Sequence, residues 1–362
     1  KKNPELLNIN KKIPFDEGYL KSIDEDKNED LLKMNKKILI YVNGNKEIGM
    51  GHVYRSKNLA EGFKKKKYQI EFLTQTPKIE KIIGKDFKIN KFSNFNYLKK
   101  YIDEIDSKII IIDQLKIKTQ LLSLFIKKFN LVVGIDYTGK NKTRLPKCIN
   151  SLYQKSGKQG KNVVSDFKFA ILNKNFLNKK PIKIKKNPRS ILVLQGGSDT
   201  HCFIPKILNA ITSIPKDIEI TTILGPAFSC GKTLSNMEKK LSKKVKILKN
   251  IKNMAKEMKN HDIAITGGGL SLLELSRLGI PSIVICSEKF EVETAKMMEN
   301  EGFGRNLGYY RNITNEKILK NINKLIENYK DRKKMNQKGV KIIDGKGIER
   351  VIEQIMKWEN QV

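Results

Sequence analysis

Short, strongly apolar runs recur along this chain, and each closes on a turn or a helical pattern. "KKILIYVN" (36–43), "YQIEFLTQ" (68–75), "KIIIID" (108–113) and "LVVGID" (131–136) form a first series. Runs of this length with no polar face read as strands buried on both sides, the pattern of a parallel sheet. Between the first two, "VYRSKNLAEGFKKK" (53–66) carries apolar residues at helical spacing. A second series follows with "SILVLQGGSD" (190–199), "IEITTILG" (218–225) and "DIAITGGGLSLLELSRLGIPSIVIC" (262–286). The last of these reads as strand, glycine loop, helix, turn, strand. Strands alternating with helices build βαβ units. The expected fold class is therefore α/β, with two Rossmann-like domains in succession and a cleft between them.

Length agrees with two domains, because 362 residues exceed one simple core. The polar, Lys-rich stretch 173–190 with its two prolines reads as an interdomain linker. The expected division is an N-terminal extension (1–35), a first Rossmann-like domain (36–180), a second, nucleotide-binding one (188–340) and a C-terminal helix segment (341–362). The last helix, "GIERVIEQIMKWENQ" (347–361), is expected to cross back onto the first half. No run of about 18 apolar residues is present, so no spanning helix is expected. "KKNPELLNINKK" lacks the apolar core of a signal peptide. Cys148, Cys202, Cys230 and Cys286 lie far apart with no CxxC, which argues against a zinc ribbon or a disulfide framework. A reduced, cytoplasmic setting is expected.

The net charge of +34 raises the question of a polyanionic partner. Lysines occur in nearly every segment, however, and no aromatic-interleaved basic tract is found. The charge is read as composition and no nucleic-acid partner is expected. Weak peripheral attraction to an acidic membrane is the remaining expectation from charge. No GxxxxGK[ST], no Gly-x-Ser-x-Gly and no His/Cys cluster at metal-ligand spacing occurs, so no metal and no cofactor is expected.

Three glycine loops follow strands. In Gly49-Met50-Gly51-His52, glycines allow close backbone approach and the helix start offers free N–H groups to an anion. Imidazole is the side chain suited to base work near neutral pH. The same four residues are also a tight turn followed by an ordinary helix-start residue, and the stretch alone does not choose. Arg55 is expected to pack or pair on the first helix. Gly196-Gly197-Ser198-Asp199 lies at the carboxyl edge of a strand, where such folds bind ligands. There Asp199 is either a site residue or a helix cap, and His201 lines the cleft or lies on the surface. Gly267-Gly268-Gly269 forms an open nest of N–H donors suited to a diphosphate. Leu270 opens the following helix, and Glu274 on its first turns is placed to accept two ribose hydroxyls or to stabilise the helix start. His261 reads as a surface helix end.

Taken together, "EIGMGHVYRSKNLA" (47–60), "IIIIDQL" (109–115), "ILVLQGGSD" (191–199), "NMAKEMKNHDIAITGGGLSLLELSRLGIPSIVIC" (253–286) and "AKMMENEGFGRNLG" (295–308) resemble one family. It comprises the UDP-sugar hydrolases of pseudaminic acid biosynthesis and the related spore coat polysaccharide biosynthesis proteins. These have the GT-B type of fold and are more distantly similar to the lipid II-forming N-acetylglucosaminyltransferase. The resemblance implies a UDP-sugar substrate and His52 as the base that activates water. It further implies Gly49, Gly51, Asp113, Gly196 and Gly197 at the sugar or phosphate. Gly267, Gly268, Gly269 and Leu270 would hold the UDP diphosphate and Glu274 the ribose. The implied reaction is hydrolysis of a UDP-linked amino-deoxy sugar. The alternative on the same fold is transfer of the sugar to a glycan or lipid acceptor.

The sequence departs from the family pattern at three places. Asp113-Gln114-Leu115 stands where the hydrolases often have D-H-Y. Phe290 and Glu291 stand in the loop where the family usually offers an N-Q pair, and Tyr41-Val42-Asn43 replaces an Arg-x-Asp segment. These differences fall on the sugar side more than on the diphosphate side. The 22–34 stretch "SIDEDKNEDLLKM" is consistent with a short helix and is faintly similar to the closing segment of sugar-acid cytidylyltransferases. A solvated arm is the other reading of that segment.

Overall fold

A computed structural model describes residues 36–44, 50–77, 79–152, 162–238 and 245–362. Gly49, the 1–35 arm and its 22–34 helix lie outside the described residues.

The first sheet has seven strands: β1 (Lys37–Val42), β2 (Gln69–Thr74), β3 (Lys88–Lys91), β4 (Ile109–Asp113), β5 (Leu131–Ile135), β6 (Lys147–Asn150) and β7 (Val163–Ser165). Their order is β3-β2-β1-β4-β5-β6-β7, and every pairing is parallel. The second sheet has six: β8 (Ser190–Leu194), β9 (Glu219–Leu224), β10 (Val245–Lys249), β11 (Ile263–Thr266), β12 (Ser282–Cys286) and β13 (Arg305–Tyr309). Its order, β10-β9-β8-β11-β12-β13, is again all parallel. Both are doubly wound Rossmann-like sheets. Strands β3, β6, β7, β10 and β13 were not read from the sequence; of these, "KINK" and "VVS" are short, half-exposed edge segments without an apolar run.

Helices α1 (Gly51–Lys65), α2 (Glu80–Ile83), α3 (Phe95–Glu104) and α4 (Thr119–Lys128) connect the first strands. Along β1, Ile38, Ile40 and Val42 pack into the core on one face, while Leu39 and Tyr41 pack into the core on the other. This period-2 split into two apolar layers explains why the run reads as continuously hydrophobic. After α5 (Lys174–Leu177), the second domain adds α6 (Phe203–Ala210), α7 (Gly231–Glu238), α8 (Met254–Met258), α9 (Leu270–Leu278), α10 (Glu291–Asn300), α11 (Asn315–Glu327) and α12 (Tyr329–Ile342).

The final helix, α13 (Gly347–Glu359), buries Val351, Ile352, Ile355 and Trp358 in the first sheet's core beside Ile38 and Phe63. It crosses α1 at Gly62, where an added Cβ would lie 2.5 Å from Ile348 Cγ2, so a side chain there would force the helices apart. In return, Phe167, Leu172 and Phe176 pack into the core of the second domain. The Lys-rich stretch between the sheets is fastened by backbone acceptors. Arg277 Nη2 donates to Leu177 O (2.6 Å), and the buried Arg332 donates through Nη2 to Lys185 O (3.0 Å) and Lys186 O (2.7 Å).

One expectation from cysteine spacing is overturned. Cys202 and Cys230 form a disulfide with Cα atoms 5.5 Å apart. They are 28 residues apart in sequence and meet because the loops after β8 and β9, which are adjacent strands, rise at the same sheet edge. Spacing rules built on local motifs miss such a pair. Cys148 and Cys286 are free and buried. Among the described residues no helix is long and apolar enough to cross a membrane.

Docking of α13 makes a prediction. Ile355→Ala, which empties a fully buried position, is expected to lower stability by about 2–5 kcal/mol. Denaturant titration checks it, read from the emission of Trp358, the chain's one tryptophan, which sits in that same interface.

Candidate functional site

The register of the first sheet places the first half of the site. Val42 on β1 is level with Asp113, the last residue of β4, and Asp136 directly follows β5. Two carboxylates therefore emerge side by side at the carboxyl edge. Helix α1 starts over that edge, and His52, Arg55 and Ser56 lie at i, i+3 and i+4, on one face of it. All three point to Asp113. His52 Nδ1 lies 2.7 Å from Asp113 Oδ1, Arg55 Nε donates to Oδ2 at 3.0 Å, and Ser56 Oγ donates to Oδ2 at 2.9 Å. Arg55 Nη2 also donates to Oδ1, and Nη1 donates to Asp136 Oδ2. Asp136 Oδ1 in turn accepts the backbone N–H groups of Ser151 (2.6 Å) and Leu152 (2.8 Å).

The network is buried throughout: His52 is 8% exposed, Arg55 3%, Asp113 1% and Asp136 0%. Burial by itself pushes the Asp113 carboxyl upward, but the Arg55 charge and the hydrogen bonds from His52 and Arg55 outweigh it and hold the pKa well below the usual carboxylate range. An ionised Asp113 only accepts, so the short contact to His52 assigns a proton to Nδ1, and in the neutral imidazole Nε2 then carries the lone pair. That is the tautomer a general base needs.

The neighbouring residues have structural partners. Gln114 Nε2 donates to Asn43 O (2.8 Å), and Asn43 Oδ1 accepts Thr74 Oγ1 (3.1 Å) and Gln75 N (2.7 Å). Two of the family departures thus knit the strand ends together. Leu115 remains half-exposed beside Asp113. Gly51 opens α1, whose first turn has no side-chain cap and no acidic residue.

The second half of the site lies on the second sheet. Ile265 on β11 pairs with Val193 on β8, which brings Gly267 level with Gln195. Thr266 pairs with Val284 on β12, which brings Gly268 level with Cys286. None of Gly267, Gly268 or Gly269 has a positive φ. Glycine is needed here for close approach: a Cβ on Gly267 would lie 3.1 Å from Gln195 Oε1, one on Gly268 2.8 Å from Glu291 Cβ, and one on Gly269 3.2 Å from Glu291 Oε1. Gly269 precedes α9, whose N-terminus lacks a side-chain cap and whose first residue is Leu270. Gly196 has φ +63, and the space where Cβ atoms of Gly196 and Gly197 would stand is open.

Polar groups around this loop lack partners. Gln195 Nε2 and Thr266 Oγ1 are buried without a hydrogen bond, although Gln195 Oε1 accepts from Ser287 Oγ at 3.0 Å. Glu274 keeps some solvent contact at its rim, yet burial pushes its carboxyl up to about 8. Asp199 takes the capping role: it accepts Phe203 N (2.8 Å) and Ile204 N (3.0 Å) at the start of α6. His201 is half-buried, stacks on Tyr310 with ring centroids 4.3 Å apart, and lies 3.3 Å from Glu288. His261, expected at the surface, is buried, with Nδ1 3.0 Å from Glu257 O.

With this geometry in view, similarity to known proteins becomes informative. Residues 190–354 match the glycosyltransferase family 28 C-terminal domain. The spore coat polysaccharide biosynthesis protein SpsG of Bacillus subtilis is 28% identical over 327 residues, covering 86% of this chain and 95% of SpsG. The similarity to SpsG thus runs along nearly the whole of both chains. An uncharacterized protein of Methanocaldococcus jannaschii is 32% identical over 275 residues, which cover 71% of this chain and 57% of that protein's length. Among solved structures, the S. aureus MnaA–UDP complex aligns with TM-score 0.65 at 12% identity, over 90% of this chain and 98% of that one. At that identity the likeness is one of fold, the two-domain GT-B architecture.

The structure joins His52 and Asp113, places Gly267 beside Gln195 and Gly268 and Gly269 beside Glu291, and leaves Gly49 outside the described residues. Asp136, Ser56 and Gln195 were not singled out from the sequence. The available signal for Asp136 was its position: like Asp113, it closes a fully apolar strand.

Two predictions follow from the charges. Arg55→Met leaves Asp113 and Asp136 facing each other without their shared cation, and is expected to cost about 3–5 kcal/mol in urea unfolding. Glu274 binds its proton more tightly folded, at about 8, than unfolded, at about 4.3. The folded state therefore holds more protons across that window, and stability falls as pH rises through it. Glu274→Gln is expected to raise the melting temperature near pH 8 and to leave it unchanged near pH 4, as thermal melts at the two pH values will show.

Proposed function

We propose that this chain is a GT-B nucleotide-sugar enzyme of polysaccharide biosynthesis, and that it hydrolyses a UDP-linked amino-deoxy sugar to free sugar and UDP. The single observation that carries the reading is the buried Asp113–His52 pair at the strand edge, with Nδ1 committed to the carboxylate. The family 28 match over 190–354, the SpsG relationship and the UDP-bound neighbour of the same fold support a nucleotide-sugar substrate. A nonulosonic-acid surface glycan pathway, as the resemblance to pseudaminic-acid hydrolases implies, is the setting proposed.

In this mechanism His52 Nε2 takes a proton from water as the water oxygen bonds to the anomeric carbon. The bond from that carbon to the diphosphate oxygen breaks, and UDP departs with the electron pair. Asp113 orients the imidazole and offsets the charge it gains, without taking up the proton. Arg55 and Ser56 hold Asp113 in place. Backbone N–H groups of Gly267–Gly269 and the start of α9 meet the diphosphate, where negative charge develops on the leaving group. Glu274 accepts the ribose hydroxyls, which supply the donors that its carboxyl lacks within the protein. Leu270 lines the diphosphate end, and Gly51, Gly196 and Gly197 face the sugar and phosphate; Gly49, assigned to the same role by the family resemblance, lies outside the described residues.

The family 28 match favours a second reading, transfer to a glycan or lipid hydroxyl in place of water. Leu115, where the hydrolases carry a tyrosine, leaves an apolar wall at that position. Incubation with UDP-amino-sugars, with UDP release followed by a coupled assay, separates the two. Release without acceptor is the expected outcome, with His52→Ala and Asp113→Asn each lowering it about 10²–10⁴-fold. Release only on adding an acceptor establishes transfer. His52→Ala equal to wild type removes the base assignment.

A further inference from the structure

Glu291 is the group at the second site that the proposed reaction leaves unused. It opens α10, and its side chain folds back over the glycine loop. Its Oε2 accepts the N–H of Ser287 at 2.9 Å and of Glu288 at 3.3 Å, and the Gly268 N–H also bears on the carboxyl. A Cβ on Gly268 or Gly269 would collide with this side chain at 2.8 and 3.2 Å. The nest that suits a diphosphate thus already faces a carboxyl of the chain itself. Two anions on one nest repel each other.

Among the described residues, no cation is seen to pair with that carboxyl. Glu288 on the same turn adds a like charge, and His201 lies 3.3 Å from Glu288. Cys286 at the end of β12 presents a buried thiol whose own ionisation Glu291 opposes. The glycine loop carries nothing titratable, Gln195 on the β8 side is a neutral amide, and α9 contributes the carboxyl of Glu274. Burial above all, with Glu288 adding to it, pushes Glu291 up to about 7 even against its backbone donors. Beside it, Gln195 Nε2 is a buried donor with no partner, on the side chain whose Oε1 faces Gly267. A glutamine at position 291 would both donate and accept there. Only the protonated glutamic acid does the same.

Building on the nucleotide-sugar reading above, we propose that Glu291 is a specificity-determining residue of the donor site that binds the nucleotide as a neutral carboxylic acid. Its O–H donates to an oxygen of the ligand held on Gly267–Gly269, and Gln195 Nε2 donates beside it. The proton comes from solvent as the nucleotide binds and returns to solvent as it leaves. Affinity for a nucleoside diphosphate therefore falls as pH rises through neutrality, and the site discriminates against ligands that present only donors at this position.

The test is isothermal titration of UDP into the full chain at pH 8, in two buffers of different ionisation enthalpy. Wild type is expected to take up about one more proton per UDP than Glu291→Gln, and its Kd to rise about tenfold from pH 6 to pH 8 relative to that variant. Glu291→Gln keeps the shape and a donor, so it is expected to bind at pH 8 at least as tightly as wild type. Equal proton uptake by the two proteins, with UDP bound by both, overturns the role of Glu291 alone. Failure of both to bind UDP at either pH overturns the nucleotide-sugar reading, and this inference with it.

Discussion

One buried guanidinium holds the carboxyl edge of the first sheet together. Asp113 and Asp136 end adjacent parallel strands, so the sheet geometry forces two carboxylates into one dry corner. Arg55 reaches both, and Asp136 is further fixed by two backbone N–H groups. The fork of Arg55 suits this task in a way a lysine would not, because its planar donors span two acceptors at once. His52 then inherits a fixed partner. Its Nδ1 hydrogen bond and ring orientation follow from an Asp113 that Arg55 and Ser56 have already immobilised.

The two domains treat charge in opposite ways. In the first, every carboxyl at the sheet edge is matched by donors. In the second, Glu274 and Glu291 stand without cations, and Gln195 and Thr266 carry unpaired polar atoms. Unmatched buried groups of this kind cost stability. Their concentration around one glycine loop is what a site looks like when its partners arrive with the ligand: hydroxyls for Glu274, and oxygen acceptors for Gln195.

The alternating strand pattern made the two parallel sheets legible, since β1, β4, β5, β8, β11 and β12 are apolar on both faces. The edge strands β3 and β7 were not legible, because half-exposed short strands carry no such pattern. The glycine loops were visible as loops, but why they are glycine was not. At Gly268 the reason is the approach of Glu291 and Cys286, residues 23 and 18 positions later in the sequence, and only the register of β11 against β12 brings them there. His52 could be suspected from its glycine turn, while its pairing with Asp113, 61 residues away, appears only once β1 and β4 are neighbours. The Cys202–Cys230 bridge was hidden for the same reason. Local spacing carries the strands and turns, whereas partners across a sheet edge are set by strand order.

The net charge of +34 acquires a more specific meaning beside this site. Lysines spread over the surface raise the concentration of anions near the molecule but cannot orient them. Orientation falls to the backbone N–H groups at the glycine loop and the start of α9, which are neutral dipoles. Had the nest been lined with Lys or Arg, any polyanion would compete for it. In the proposed reading, a ligand larger than inorganic phosphate adds contacts of its sugar and ribose oxygens with Glu291, Gln195 and Glu274 to those of the N–H groups, and these added contacts would separate a nucleotide sugar from simple anions.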